Sequence, residues 1–199
     1  MSELASESSA PGRVPVLHAV PDRTESDNPP PRSPEVGALA AVQRAIGKPP
    51  VVRAARGLSL FGEHSAGWLA VGAVGALVDR KRRKEWLTAA AGAVTAHAAS
   101  IAVKRVVRRR RPMDESVKVL VSTPSQLSFP SSHATSTTAA AVAFAAVTGR
   151  KLPLAVVPPM LVSRLVLGVH YPSDVLAGSA LGAVIGGLVG RRIRRSRSR

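Results

Sequence analysis

Pro172-Ser173-Asp174-Val175-Leu176-Ala177-Gly178-Ser179-Ala180-Leu181-Gly182-Ala183-Val184-Ile185-Gly186-Gly187-Leu188-Val189-Gly190 is the stretch on which the fold turns. It carries no charge after Asp174. Pro172 suits a first helical turn, where a missing N–H costs nothing. Asp174 then lies at the positive end of the helix dipole. Gly178, Gly182, Gly186 and Gly190 recur every four residues. At that spacing they line one helix face and let a neighbouring backbone come close. The first reading of that face is packing within the chain. The second is a homodimer through it.

Four more apolar runs lie upstream, at 58–78, 86–103, 134–147 and 152–169, the last interrupted by Pro153, Pro158 and Pro159. The residues are mostly Ala, Val, Leu and Gly, and aromatics make up only 3% of the chain. Small residues suit helices packed closely in lipid. A soluble helical bundle competes with this reading. Several runs fall short of the roughly 20 apolar residues that span a bilayer core, and the mean hydropathy is only +0.12. Punctuation favours the membrane: within the runs the charges are Glu63 and Arg164. The expectation is an all-α, polytopic membrane helix bundle with about five spans over 58–190.

Residues 1–35 are rich in Ser, Pro, Glu and Asp, too poor in apolar area to offset ordering entropy, and read as a disordered tail without a signal-peptide core. Residues 36–57 read as an amphipathic interfacial helix, which Pro49-Pro50 should break. Residues 191–199 form a basic tail. Cysteine is absent, which excludes disulfides and thiolate metal sites. The net charge of +16 points to anionic partners. Nucleic acid is disfavoured, because bases lack aromatic platforms here and the arginines flank apolar runs. Thirteen cations fall in one set of loops (80–84, 150–151 and after Gly190) and eight in the other. That bias puts the first set in the cytoplasm and the polar clusters outside.

Those clusters carry the chemistry. His170 and Asp174 are four residues apart, so the carboxylate can reach back and make the imidazole a better nucleophile; a helix-start Asp with an incidental His is the bland alternative. Pro130-Ser131-Ser132-His133 reads as a capped helix start whose N–H groups can also receive phosphate, with His133 placed to move a proton. Lys104 and Arg111 read as phosphate cations or as a solvated basic loop. Arg164 sits inside an apolar run, where a charge either snorkels or has a functional partner.

The joint pattern is Lys104, six residues, Arg111-Pro112; then Pro130 to His133; then Ser163-Arg164, five residues, His170, three residues, Asp174. It resembles the tripartite signature of the type 2 phosphatidic acid phosphatases, the lipid phosphate phosphatases. Phe61-Gly62-Glu63-His64 resembles that family's lead-in. The resemblance implies that His170 attacks phosphorus, Asp174 orients it, and His133 is the proton donor. Lys104, Arg111 and Arg164 would clamp the phosphate, with Ser131 and Ser132 nearby and no metal or other cofactor. Ser132 stands where the family usually has Gly. Small size and an Ala/Arg-rich composition resemble actinobacterial members. That implies a polyprenyl-linked phosphomonoester, decaprenylphosphoryl-5-phosphoribose in cell-wall arabinan synthesis. Undecaprenyl diphosphate, phosphatidylglycerophosphate and phosphatidate are the alternatives. The reading from another class is a non-enzymatic basic membrane protein that gathers anionic lipid or nucleic acid.

Overall fold

The computed structural model describes residues 33–198. The expected disordered tail lies outside the described residues up to position 32. Its last residues do not belong to a tail: Ser33 caps α1 (Pro34–Ile46) by accepting from the Val36 N–H at 3.3 Å. Gly47 and Lys48 separate α1 from α2 (Pro49–Gly62), which restarts at the proline pair. Segment 36–57, expected as an interfacial helix, is thus two helices, the second running on into the first apolar run.

That run, 58–78, is not one helix either. A 3₁₀ turn at Glu63–Ser65 divides it, with φ of +49° at His64 and +62° at Ser65. Positive φ is strained for residues that carry a Cβ. α3 (Ala66–Val78) follows, then a turn capped by Asp79, then α4 (Arg83–Val107). A long loop leads to α5 (Ser132–Thr148), capped by Ser131 and closed at Gly149. Run 152–169 splits into a 3₁₀ turn at Leu152–Val156 and the short α6 (Val157–Val166), the prolines occupying first-turn positions of each. α7 (Pro172–Arg197) absorbs the basic tail: Ile193 is buried, and Arg197 reaches the Glu85 carboxylate and the Val147 carbonyl. No β-strand occurs among the described residues, only one isolated bridge between Arg110 and Leu127.

α5 is the centre. Its Ala, Ser and Thr side chains are buried between α4 and α7. The glycine stripe of α7 lies on it. A Cβ at Gly182 would stand 2.3 Å from the Thr135 carbonyl oxygen, and one at Gly186 would stand 2.6 Å from that of Ala139. α5 occupies the Gly178/Gly182/Gly186/Gly190 face, as the first reading of that face, packing within the chain, expects.

α3 and α7 carry apolar side chains on their outer faces. Leu69, Val74, Leu77 and Val78 of α3 and Leu176, Val184 and Leu188 of α7 are exposed. Arg80–Val107 and Pro172–Arg197 are, among the described residues, the helical segments long and apolar enough to cross a membrane. At about 1.5 Å per residue they exceed a hydrocarbon core of about 30 Å.

Candidate active site

The three polar clusters meet. The last turn of α4 supplies Lys104, the loop after it Arg111, the first turn of α5 Ser132 and His133, α6 Arg164, and the α6–α7 loop His170. All six line one cavity of about 450 Å³.

Each cation is held by acceptors on the chain. Lys104 Nζ donates to the Leu127 and Ser128 carbonyls at 3.1 and 3.0 Å. Arg111 donates to Ser125 and Val169 carbonyls at 2.8 and 2.6 Å. Arg164 is 2% exposed and donates to the hydroxyls of Ser163 and Ser59, both at 3.1 Å. Snorkelling is thereby excluded for Arg164. Carbonyls and hydroxyls fix these groups without neutralising them, so three positive charges face one space. Burial pushes the Arg111 guanidinium down to about 10, with Asp174 partly offsetting it.

His170 lies between this cluster and Asp174. Its Nδ1 is 3.6 Å from Asp174 Oδ2, long for a hydrogen bond, and has no other partner. A carboxylate only accepts, so Nδ1 carries the proton and the Nε2 lone pair is left for Arg111, 3.3 Å away. Burial pushes the imidazole down to about 3, Asp174 opposing this and Arg111 and Lys104 adding to it. The ring is therefore neutral near pH 7, as a nucleophile must be.

His133 is placed differently. Its Nε2 is 2.9 Å from the Ser59 carbonyl of α2, which requires a proton on that nitrogen. Gly62 lets α2 lie against the ring, since a Cβ there would stand 2.7 Å from His133 Cδ2. Ser132 lines the cavity, its hydroxyl 2.7 Å from that of Ser100. Ser131 does not. It is buried, its hydroxyl caps α5, and its N–H donates to the Asp174 carbonyl at 3.0 Å. Expected as a phosphate ligand, it instead ties α5 to α7.

The geometry also brings in residues that the motif spacing passed over. His64 and His97, given no role by the sequence, both line the cavity with ring centroids 6.0 Å apart. Arg109 donates to Asp174 Oδ1 at 2.9 Å and to Glu35 at 2.5 Å. Its signal was masked by the four consecutive arginines 108–111, and Glu35 fell inside the expected tail.

The PAP2 superfamily pattern matches residues 85–197. The chain belongs to the PAP2 superfamily. Two curated relatives, both named decaprenylphosphoryl-5-phosphoribose phosphatase, reach much further. The one from Mycobacterium tuberculosis is 55% identical over 156 residues, 78% of this chain and 88% of its own length. The one from Mycolicibacterium smegmatis is 59% identical over 145 residues, 72% of this chain and 81% of its own. Among solved structures, a transmembrane PAP2-type phosphatidylglycerolphosphate phosphatase from Bacillus subtilis has the same fold, with a TM-score of 0.66 and 23% identity. That likeness covers 82% of this chain and 89% of the other. The PAP2 chain is accordingly an all-helical phosphatase of the membrane lipid phosphatase kind.

Proposed function

We propose that the protein removes the terminal phosphate from a polyprenyl-linked phosphomonoester, decaprenylphosphoryl-5-phosphoribose, leaving decaprenylphosphoryl ribose. The observation that carries the reaction is the convergence of His170, Lys104, Arg111 and Arg164 on one cavity. The substrate rests on the mycobacterial relatives, whose names state it and which match most of both lengths.

In the first step the His170 Nε2 lone pair forms a bond to phosphorus and the bond from phosphorus to the sugar oxygen breaks. The departing alkoxide takes a proton from His133, which acts as the imidazolium, gives up its Ser59 carbonyl to reach the oxygen and is left neutral. Water then attacks the phosphohistidine, His133 takes the water proton, and phosphate leaves with His170 regenerated. Asp174 steadies the ring while it carries phosphate. Phosphoryl transfer needs positioning and charge stabilisation above all, and the three clamped cations supply both without a metal. Ser132 and the N-terminal turn of α5 complete the phosphate seat.

In the same reading five spans cross the plasma membrane and α1 lies at the interface. The site opens on the extracytoplasmic side. Lys104, Arg109, Arg111 and Arg164 serve the site and its support, so they drop out of the loop-charge comparison and the positive-inside bias sharpens.

The test is phosphate release by purified protein in detergent with EDTA present. The substrates are decaprenylphosphoryl-5-phosphoribose, undecaprenyl diphosphate, phosphatidylglycerophosphate and phosphatidate. The ribosyl lipid should show the highest kcat/KM, and His170→Ala should abolish release from all four. Turnover by His170→Ala at the parental rate would remove the phosphohistidine step. A glycerolipid turned over best would move the substrate to the alternative.

A further inference from the structure

Asp174 is fully buried, yet it must stay charged to serve His170. A buried carboxylate needs partners. Its Oδ2 accepts the Tyr171 N–H at 2.8 Å. Its Oδ1 accepts from Arg109 at 2.9 Å, the cation in direct contact with it.

Arg109 is itself fixed on several sides. It bonds the Ser173 hydroxyl at 2.6 Å and Glu35 Oε2 at 2.5 Å, and its guanidinium carbon lies 3.9 Å from the centre of the Tyr171 ring. Glu35 Oε1 accepts the Ser173 N–H at 3.0 Å, so one carboxylate of α1 grips both the guanidinium and the start of α7. Around it, Val36, Leu39 and Ala40 of α1 form a buried cluster with Val117, and Tyr171 and Leu165 pack on it.

We propose that Arg109, set by Glu35 of α1, is a positioning residue for the His170–Asp174 pair, and that α1 is thereby a working part of the site. The proposal rests on His170 being the nucleophile. The charges alternate: Glu35 negative, Arg109 positive, Asp174 negative. Arg109 holds the Asp174 carboxylate in place and offsets the cost of burying its charge. Glu35 balances Arg109, so that the field of the guanidinium does not cancel what Asp174 offers to the imidazole. Bonds from Ser173 and Arg109 hold the Glu35 carboxyl below its ordinary range against the opposing effect of burial. The other charged or titratable groups facing the pair are Tyr171 from its own loop, Arg111 and Lys104 from the cation cluster, and His133 with Arg164 beyond the ring.

The experiment takes the full chain in detergent and measures kcat and KM from pH 4.5 to 9 on the ribosyl lipid and on p-nitrophenyl phosphate. The variants are Arg109→Gln, Arg109→Lys, Glu35→Gln and His170→Ala. Arg109→Gln should lower kcat about 10- to 100-fold, the range seen when an orienting partner behind a functional ligand is lost. KM should change far less. The acid limb of kcat/KM should move to higher pH, because the pair takes up a proton more easily without the guanidinium. Arg109→Lys should restore the limb but only part of the rate, since an ammonium cannot fork between Asp174 and Glu35. Glu35→Gln should lower kcat severalfold without moving the limb upward.

A loss that is uniform across pH and not restored by Arg109→Lys overturns the proposal, as does a parental profile in Arg109→Gln. If Arg109→Gln does not fold, parental profiles in both Arg109→Lys and Glu35→Gln overturn it. His170→Ala at the parental rate is a separate failure, that of the nucleophile assignment.

Discussion

α7 meets its surroundings in two unlike ways. Along its length it lies on α5 through glycine, with backbone against backbone and hardly a side chain between. At its first turn it meets α1 and the 108–128 loop through the charged side chains of Glu35 and Arg109, and that loop and α6 are tied in turn to α1 and α2 by Gln43 and Arg56. Gln43 donates to the carbonyls of Lys118 and Val166 at 2.7 and 3.0 Å, and Arg56 donates to that of Leu120 at 3.1 Å. The first contact has no room and no substitute. The second is a set of separate stitches, each of which can be lost alone. The site lies where the two meet: His133 comes from the close-packed side, and the loop carrying Arg111 and Arg109 from the stitched side.

The largest effect should come from breaking the close-packed side. Gly182→Leu must displace α5, since even a Cβ would stand 2.3 Å from the Thr135 carbonyl oxygen, and folded protein should not be recovered. Gly182→Ala should fold but lose about 1–3 kcal/mol, the usual cost of overpacking. Gly187 is the control, because a Cβ there meets nothing within 4 Å. Gly187→Ala should be neutral or gain up to about 1 kcal/mol from helix propensity. Thermal unfolding midpoints in one detergent would check this. Equal losses at 182 and 187 would mean that the α5–α7 contact is looser than described.

A smaller and more selective effect should follow at the seam. His133 belongs to α5, but Ser59 of α2 holds its ring nitrogen. With His133→Ala, poor leaving groups such as the ribosyl lipid should slow about 10²- to 10⁴-fold, the usual worth of a general acid. p-Nitrophenyl phosphate needs no such proton and should slow far less. Steady-state kcat on the two substrates reads this directly, and equal losses would count against His133 as donor.

The sequence spoke clearly where one residue type at a fixed interval carries the physics. Glycine every fourth residue announced a close helix contact for α7, though not its partner, and the spacing of four set His170 beside Asp174 without deciding what the pair does. It spoke ambiguously where composition hid the function of a single residue. Arg109 stood in a run of arginines that read equally well as a solvated loop, and nothing local distinguished it from Arg108 or Arg110. Glu35 stood among residues too polar to hold a fold by themselves. Packing of Val36 and Leu39 against Val117 and the bonds of Glu35 order that helix, and such contacts are not local in sequence. Ser131 misled for a related reason: a cap and a phosphate ligand use the same residue at the same place, and only the position of the Asp174 carbonyl decides between them. The backbone break at His64 and Ser65 left little sign, because neither position holds the glycine that usually marks positive φ.

The smallest effect should be on the stitched side. Gln43 makes three bonds across one gap: two donated by Nε2, and one accepted by Oε1 from the Lys118 N–H at 2.9 Å. Gln43→Ala removes all three, but its surroundings are part exposed and water can replace some of them. The loss should be about 1–2 kcal/mol, close to what one or two net hydrogen bonds are worth. Activity should fall mainly through KM, because the loosened loop carries the Ser125 carbonyl that steers the Arg111 guanidinium toward phosphate. Gln43→Glu should cost more than Gln43→Ala. It keeps the acceptor for Lys118 N–H but sets an anion against two carbonyl oxygens, a repulsion that a missing side chain does not impose. Reversal of that order, with alanine the worse of the two, would show that the amide acts by filling space and that the stitched side is packed much as the glycine side is.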